Sequence, residues 1–203
     1  MAEFLFDGPK RAAHTVVLAH GAGAPMDSPF MVAFATGLAA HDHRVARFEF
    51  PYMAGRREGR RRGPDSPRVL RETWRAVIEE LGANRLVAGG KSLGGRVASM
   101  VADEAGVAGL LCLGYPFHPP GRPEKLRTEH LAGLTTPTLI VQGTRDALGN
   151  QAEVGSYALS PAIAVRWMED GDHSFKPRKA SGRTQAQNWE EGIAAASDFV
   201  AAL

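Results

Sequence analysis

The stretch from Arg85 to Ala102 constrains the possible fold more than any other part of the sequence. It begins with a short apolar run, continues through a glycine-rich turn and ends in residues spaced as in a helix. Residues 90–94, GKSLG, fit the pattern G-x-S-x-G, in which a sharp strand-to-helix turn raises a serine hydroxyl above the edge of a sheet. We therefore expect Ser92 at the apex of such a turn.

The glycines of this turn have a steric role. A strained turn brings its backbone close to neighbouring strands, so side chains at positions 90 and 94 are expected to collide with them. The same letters partly match a phosphate-binding loop, G-x-x-x-x-G-K-[ST], but Arg85 stands where that loop requires its first glycine. Nucleotide binding is therefore not favoured. Lys91 is expected to neighbour Ser92 in sequence only.

Composition indicates an ordinary globular chain. With 203 residues, 44% hydrophobic and 23% charged, we expect a single domain over residues 1–203. A net charge of +2 creates no strong field for nucleic acid, and no apolar run is long enough for a membrane span or a signal peptide. A cytoplasmic protein is the default expectation. The one cysteine, Cys112, lies in an apolar run and is expected to be a small buried side chain.

Apolar runs and helical patterns alternate along the chain. A short edge strand is expected at Phe4–Phe6, and the segment 51–67, rich in arginine, glycine and proline, is expected to be a loop. The other predicted strands cover residues 15–19, 45–50, 86–88, 107–113, 137–143 and 163–168. Predicted helices cover 28–41, an amphipathic segment after Pro67 and 184–200. This alternation predicts an α/β fold with a mostly parallel sheet covered by helices on both faces.

Side chains that can act as nucleophile, base or acid follow the ends of these strands. In parallel sheets the binding crevice lies beyond the carboxyl ends of the strands, so residues there are expected to share one edge. A serine nucleophile also needs a base to take its proton and a third group to orient that base. Ser92, Asp146 and His173 meet these needs. Asp170, Asp172 and, more weakly, Glu49 compete for the acid role.

The turn at Ser92 and the chain order Ser, Asp, His resemble the α/β-hydrolase fold. Three segments are similar to small, cap-less hydrolases related to dienelactone hydrolase: residues 20–31 (HGAGAPMDSPFM), 114–120 (GYPFHPP) and 171–176 (GDHSFK). The resemblance implies a three-layer fold without a lid domain. It also implies Ser92 as nucleophile, His173 as base and Asp146 as the acid that orients His173.

Hydrolysis through a serine also needs hydrogen-bond donors for the oxyanion of the tetrahedral intermediate. The backbone N–H of Leu93, directly after the nucleophile, is the first candidate. By the family's pattern the second is the N–H of Ala22, with Gly23 next, and His20 is expected to brace the loop. The alternative is a tight turn without catalytic duty.

Two further groups of residues are less decisive. Gly23, Tyr52, Tyr115, Phe117 and His118 are candidates to line a substrate pocket, although aromatic residues at strand ends are as often plain core. The arginines of the segment Arg56–Arg62 could meet an anionic substrate or an acidic partner, or form a solvated loop. They have no interleaved aromatic residues, which argues against nucleic-acid binding.

The sequence thus predicts a serine hydrolase acting on small-molecule esters or thioesters through an acyl-enzyme. The short segment between Gly114 and Pro137 predicts an open cleft. No histidine or cysteine cluster has metal spacing, so no metal or cofactor is expected. The alternative is a non-catalytic binding scaffold on a hydrolase fold. Acyl length and oligomeric state do not follow from the sequence.

Overall fold

A seven-stranded sheet forms the centre of the molecule. The computed structural model describes residues 3–60 and 62–203. The strands are β1 (Phe4–Asp7), β2 (Thr15–Ala19), β3 (Arg44–Phe48), β4 (Leu86–Lys91), β5 (Gly109–Leu113), β6 (Thr138–Gly143) and β7 (Ile163–Met168). Their order across the sheet is β1-β3-β2-β4-β5-β6-β7. Only the pairing of β1 with β3 is antiparallel.

Most of the helices lie between successive strands, and the last follows β7. They are α1 (Pro29–Ala40), α2 (Pro51–Arg57), α3 (Pro67–Leu81), α4 (Leu93–Ser99), α5 (Ala102–Ala105), α6 (Gln151–Val154) and α7 (Gln185–Ala201). Proline begins the first three, where its missing N–H costs no hydrogen bond. Capping boxes begin α6, with Asn150 and Glu153, and α7, with Thr184 and Gln187.

Helices cover both faces of the sheet. Side chains alternate across a strand, so Val17 and Ala19 of β2 face one apolar cluster while Val16 and Leu18 face the other. The first cluster contains buried residues of α2, α3 and α4, and the second contains those of α1 and α7. This is the three-layer α/β fold that the sequence predicts, and that prediction is confirmed.

No lid domain is present among the described residues. The connection from β5 to β6, residues 114–137, contains a short 3₁₀ turn at Glu129–Gly133 and no inserted layer of helices or strands. The carboxyl edge of the sheet therefore carries no inserted domain within the described chain.

The segment after β3 differs from the prediction of a loop. Helix α2 occupies its first seven residues, because Pro51 starts the helix and Tyr52 and Met53 pack into the core. The preceding strand is also shorter than predicted: it ends at Phe48, and the N–H of Phe50 donates to the His20 ring (N–Nε2 3.1 Å). Arg61 lies outside the described residues.

The turn between β4 and α4 packs against the end of β2 without room for side chains. A Cβ on Gly90 would lie 2.1 Å from the carbonyl oxygen of Ala19, and one on Gly94 would lie 2.3 Å from the same atom. Gly90 also has a φ of +147°, a conformation that favours glycine. The predicted steric role of both glycines is confirmed.

This packing predicts that Gly94→Ala is strongly destabilising. The added methyl group must displace main-chain atoms, so we expect the free energy of unfolding to fall by about 3 kcal/mol, as overpacking does in other proteins. Gly133→Ala is the matched control, because a Cβ there meets nothing within 4 Å, and we expect a change below ~0.5 kcal/mol. Urea unfolding of the two variants provides the measurement. Equal stabilities would contradict this account of the turn.

Candidate active site

Ser92 stands at the strained turn between β4 and α4. Its φ of 49° and ψ of −111° are unusual for a residue with a side chain, and such a conformation costs about 1–3 kcal/mol. The backbone is held by a hydrogen bond from the N–H of Ser92 to the carbonyl of Leu113 (3.0 Å). The result is a half-buried serine just past the carboxyl end of a central strand, as the sequence predicts.

Ser92, His173 and Asp146 come together at this edge of the sheet. Ser92 Oγ lies 2.9 Å from His173 Nε2, and His173 Nδ1 lies 2.7 Å from Asp146 Oδ2. Asp146 is fully buried, whereas the His173 side chain is 29% exposed. A continuous hydrogen-bonded chain thus leads from a buried carboxylate to a hydroxyl that faces a cavity.

The carboxylate of Asp146 is fixed by two further hydrogen bonds. Gln142 Nε2 donates to Oδ2 (3.0 Å), and the N–H of Leu148 donates to Oδ1 (2.8 Å). Gln142 is itself buried on β6 and also pairs with both backbone groups of Tyr115. Sequence reasoning missed Gln142, although a glutamine inside the apolar run TLIV-Q was a signal for a buried polar role.

The competing acids have other partners. Asp170 pairs with Arg178 and Arg145, and its hydrogen bond with Arg178 is the main reason that its pKa falls to about 2. Asp172 accepts from the backbone N–H groups of Ser174 and Lys176. Glu49 pairs with Arg57 at 2.7 Å. Among the acidic residues of the described chain, Asp146 alone hydrogen-bonds to the His173 ring.

Two other serines also contact histidines. Ser99 Oγ lies 2.8 Å from His130 Nε2, and Ser197 Oγ lies 2.9 Å from His43 Nε2. In neither pair does a carboxylate hydrogen-bond to the second ring nitrogen, as far as the described residues go. The pair at Ser92 differs from both through its acid and its strained turn.

The loop after β2 lies beside Ser92 and is braced from behind. His20 Nδ1 lies 2.7 Å from the carbonyl oxygen of Gly21, and the Tyr52 hydroxyl donates to the carbonyls of Gly21 and Ala22 (3.2 Å each). Because His20 Nε2 accepts from Phe50, its Nδ1 carries the proton. Burial lowers the pKa of His20, which favours this neutral form.

This bracing fixes the direction of the Ala22 N–H. In a trans peptide the C=O of one residue and the N–H of the next point in opposite directions, and no cis peptide is present among the described residues. The Gly21 carbonyl faces Tyr52, so the Ala22 N–H faces away from that ring. Likewise the Ser92 carbonyl accepts from Arg96 along α4, so the Leu93 N–H points out of the start of the helix. Neither N–H has an acceptor within the described residues.

A cavity of about 320 Å³ opens in front of Ser92. Its lining consists of residues 21–24, Ser28, Phe30, Met31, Lys91, Ser92, His173 and Ser174. Gly23 is in this lining, in agreement with its predicted position. Phe30 and Met31, which were not predicted as site residues, also line the cavity, because they follow directly after the loop at the start of α1.

The predicted aromatic pocket residues lie elsewhere. Tyr52, Tyr115 and Phe117 are fully buried and His118 is 2% exposed, and none is in the cavity lining. Tyr115 and Phe117 pack against each other in the core (ring centroids 4.8 Å apart), and His118 contacts the Pro119 carbonyl and Glu153. Their position at the sheet edge was predicted, but apolar burial draws these rings inward.

The arginines in the last turn of α2 and just after it are partly engaged within the molecule. Arg57 pairs with Glu49 and Asp27, Arg60 pairs with Glu58, and Arg56 donates to the carbonyl of Arg62 (2.9 Å). Glu49 in turn accepts from the N–H of Met26 (3.1 Å). Arg57 thereby helps to hold the loop that leads from the cavity into α1.

Lys91 also differs from the expectation that it neighbours Ser92 in sequence only. Its residue is 9% exposed, it contributes to the cavity lining, and its Nζ donates to the carbonyl of His173 at 2.6 Å. Burial is the main reason that the pKa of Lys91 falls to about 8, against the attraction of Asp146 and Asp172. Lys91 is therefore part of the site in space.

The loop that carries His173 is anchored to the last helix. Asn188 Nδ2 of α7 donates to the carbonyls of Phe175 (2.8 Å) and Glu169 (3.0 Å), and Trp189 Nε1 donates to that of Ser174 (3.0 Å). Asn188 is fully buried. The position of His173 thus depends on the docking of α7.

Comparison with known proteins agrees with this architecture. A sequence profile described as an alpha/beta hydrolase domain matches residues 12–201. The chain belongs to the α/β-hydrolase domain family. Membership supports a hydrolase as the class of enzyme, and the predicted resemblance to this superfamily is confirmed. The narrower likeness to dienelactone hydrolase stays a prediction.

Solved structures share the fold at low sequence identity. An α/β serine hydrolase homologue from Coxiella burnetii has a TM-score of 0.70 at 21% identity, with 96% of this chain and 91% of that chain covered. A serine hydrolase without lid from Xanthomonas campestris has a TM-score of 0.65 at 20% identity, covering 96% and 88%. A monoacylglycerol lipase from Paleococcus ferrophilus has a TM-score of 0.67 at 15% identity, covering 96% and 99%. These likenesses concern the fold.

Residues 3–60 and 62–203 contain neither a membrane-spanning helix nor a metal-binding cluster. Every helix there is too short or too polar to cross a lipid bilayer. The same residues contain no group of three or more His, Cys, Asp or Glu side chains that could hold a metal ion. Cys112 is buried as predicted, and burial raises the pKa of its thiol.

Proposed function

We propose that this protein is a serine hydrolase that cleaves carboxylic esters or thioesters of small to medium acyl groups. The observation that carries the proposal is the hydrogen-bonded series Ser92, His173 and Asp146 at a strained turn, with distances of 2.9 and 2.7 Å. A cavity of about 320 Å³ adjoins Ser92 and has no lid above it within the described chain. That volume suits a small ligand.

In the first half of the reaction Ser92 Oγ attacks the carbonyl carbon of the substrate. His173 Nε2 takes the serine proton, and Asp146 stabilises the resulting imidazolium through Nδ1. The carbonyl electron pair moves to oxygen, and the N–H groups of Ala22 and Leu93 donate hydrogen bonds that stabilise the resulting oxyanion. Collapse of the intermediate expels the alcohol or thiol, which takes the proton from Nε2 and leaves Ser92 acylated.

In the second half water takes the place of the leaving group. His173 Nε2 accepts a proton from water, whose oxygen attacks the acyl carbon, and the same two N–H groups hold the oxyanion. Collapse breaks the bond to Ser92 Oγ, which recovers its proton from Nε2. The acid product leaves through the open mouth of the cavity. The fold neighbour described as a monoacylglycerol lipase supports ester chemistry on this scaffold.

Labelling with a fluorophosphonate probe tests the nucleophile. We expect one adduct, on Ser92, and hydrolysis of p-nitrophenyl acetate that Ser92→Ala reduces by at least about 10³-fold. Ser197→Ala is a matched control, because Ser197 contacts His43 at the same 2.9 Å distance without an acid behind it. This control should label and turn over like the wild type.

A folded wild-type protein that gives no adduct and no turnover, while retaining a stable partner in a pull-down, would instead support the binding-scaffold alternative. A panel of p-nitrophenyl esters and acyl thioesters of increasing chain length separates the two leaving groups and measures the acyl length that the cavity accepts.

Asp146→Asn tests the orientation of the base. An amide can donate to Nδ1 and so stabilise the wrong histidine tautomer, and we expect kcat to fall by about 10³- to 10⁴-fold with little change in KM. Asp172→Asn is the control for the competing acid, because its remaining oxygen can still accept the two backbone N–H groups. A larger loss in Asp172→Asn than in Asp146→Asn would reverse the assignment.

Tyr52→Phe tests the bracing of the loop after β2. Loss of the hydroxyl frees the carbonyls of Gly21 and Ala22, so we expect kcat to fall by about tenfold, since the Ala22 N–H is less well aimed. KM should change little. Tyr157→Phe is the control, because the Tyr157 ring packs against Phe117 away from the cavity lining. Equal kcat values for Tyr52→Phe and wild type would remove Tyr52 from the account.

A further inference from the structure

Lys91 is the buried charged group of the cavity that the proposed reaction leaves unused. It is the last residue of β4, and strand alternation places it on the same face as Val87, towards α1 and α7. Its ammonium group makes one hydrogen bond among the described residues, to the carbonyl of His173 (2.6 Å). No carboxylate of the described chain is within salt-bridge distance. A cation buried in this way costs free energy of folding.

The surroundings of Lys91 leave space for this contact. A Cβ on Gly114 would lie 2.8 Å from Nζ and 2.9 Å from the His173 carbonyl oxygen, so the glycine after β5 leaves room for both atoms. The Phe30 ring lies with its centroid 5.3 Å from Nζ, within the range of a cation–π interaction. Gly21 lies beside the aliphatic part of Lys91: a Cβ added to Gly21 would be 3.5 Å from Lys91 Cγ.

Resting on the proposed function, we infer that Lys91 is a positioning residue for His173. Its ammonium ion holds the main-chain carbonyl of His173 and so orients the imidazole towards Ser92. The contact joins the end of β4, which carries the nucleophile, to the loop after β7, which carries the base. A charged donor makes a shorter and stronger hydrogen bond than a neutral one. The orientation of the base therefore depends on the charge of Lys91.

The charged and titratable groups that face Lys91 are Asp146, Asp172 and the His173 ring, whereas α1 presents the uncharged Phe30. Because the pKa of Lys91 lies at about 8, the ammonium form predominates below that pH and is lost above it. The proposal therefore predicts that kcat falls as pH rises through this range.

Lys91→Met and Lys91→Arg test the inference in the full chain. Lys91→Met keeps the length of the stem and removes the charge, and we expect kcat to fall by about 10- to 100-fold, the usual effect of a misplaced catalytic group, with KM within about threefold of wild type. Its alkaline loss of activity should disappear. Lys91→Arg keeps the charge and should extend activity to higher pH than wild type. The control is Lys176→Met, an exposed lysine of the same loop.

Stability separates this role from simple support of the fold. Removing an uncompensated buried cation should leave the melting temperature of Lys91→Met unchanged or higher while activity falls. A variant that loses melting temperature and activity together, with a wild-type pH profile, would show a structural role only. A kcat within twofold of wild type would overturn the inference.

A readout that does not depend on turnover keeps the inference distinct from the proposed function. In protein with ¹⁵N-labelled histidine we expect a downfield Nδ1–H proton signal from His173, identified by its absence in His173→Gln. Lys91→Met should broaden or lose it, and Lys176→Met should retain it. If wild type shows neither probe adduct nor turnover, the proposed function fails. An unchanged signal in Lys91→Met refutes the positioning role in either case.

Discussion

The contact between the end of β2 and the glycines of the β4–α4 turn determines the geometry of the whole site. Gly90 and Gly94 both lie against the carbonyl of Ala19, and any side chain there would overlap it. Ala19 is also the last residue of β2, so the loop that begins at His20 starts at the same point. One close approach of backbones thus places Ser92 in its strained conformation and puts the loop with the Ala22 N–H opposite it.

Around this contact, the site is held mainly through peptide carbonyls. Tyr52 binds those of Gly21 and Ala22, α7 binds that of Ser174, and Lys91 binds that of His173. Each donor fixes the plane of a peptide and therefore the direction of the neighbouring N–H or side chain. Preorganised dipoles of this kind need no rearrangement when charge develops on a substrate.

The sequence predicted those parts of the molecule that depend on local spacing. The turn at Ser92, the alternation of strands and helices, and the edge of the sheet that gathers Ser92, Asp146 and His173 all follow from patterns a few residues long. Depth below the surface does not follow from such patterns. Tyr115 and Phe117 lie at the predicted edge but are buried, because the sequence does not show which loop covers which ring.

For two residues, Lys91 and Gln142, strand periodicity carried a signal of a buried polar side chain. Lys91 lies on the same face of β4 as the apolar Val87, and Gln142 is a polar residue near the end of an otherwise apolar β6, so both positions indicated buried polar groups. The segment of α2 was predicted as a loop because it contains one glycine and two arginines, whereas the burial of Tyr52 and Met53 that stabilises the helix is a tertiary effect. Short helices of this kind gain their stability from packing more than from propensity.

The anchoring of the His173 loop by Asn188 and Trp189 has a consequence for biosynthesis. Ser92 precedes His173 by 81 residues, and the helix that anchors the His173 loop comes later still. A ribosome therefore synthesises Ser92 long before the His173 ring can be docked against it. The hydrogen bond between Ser92 and His173 is therefore completed in a nascent chain only after α7 has been synthesised and packed against the sheet.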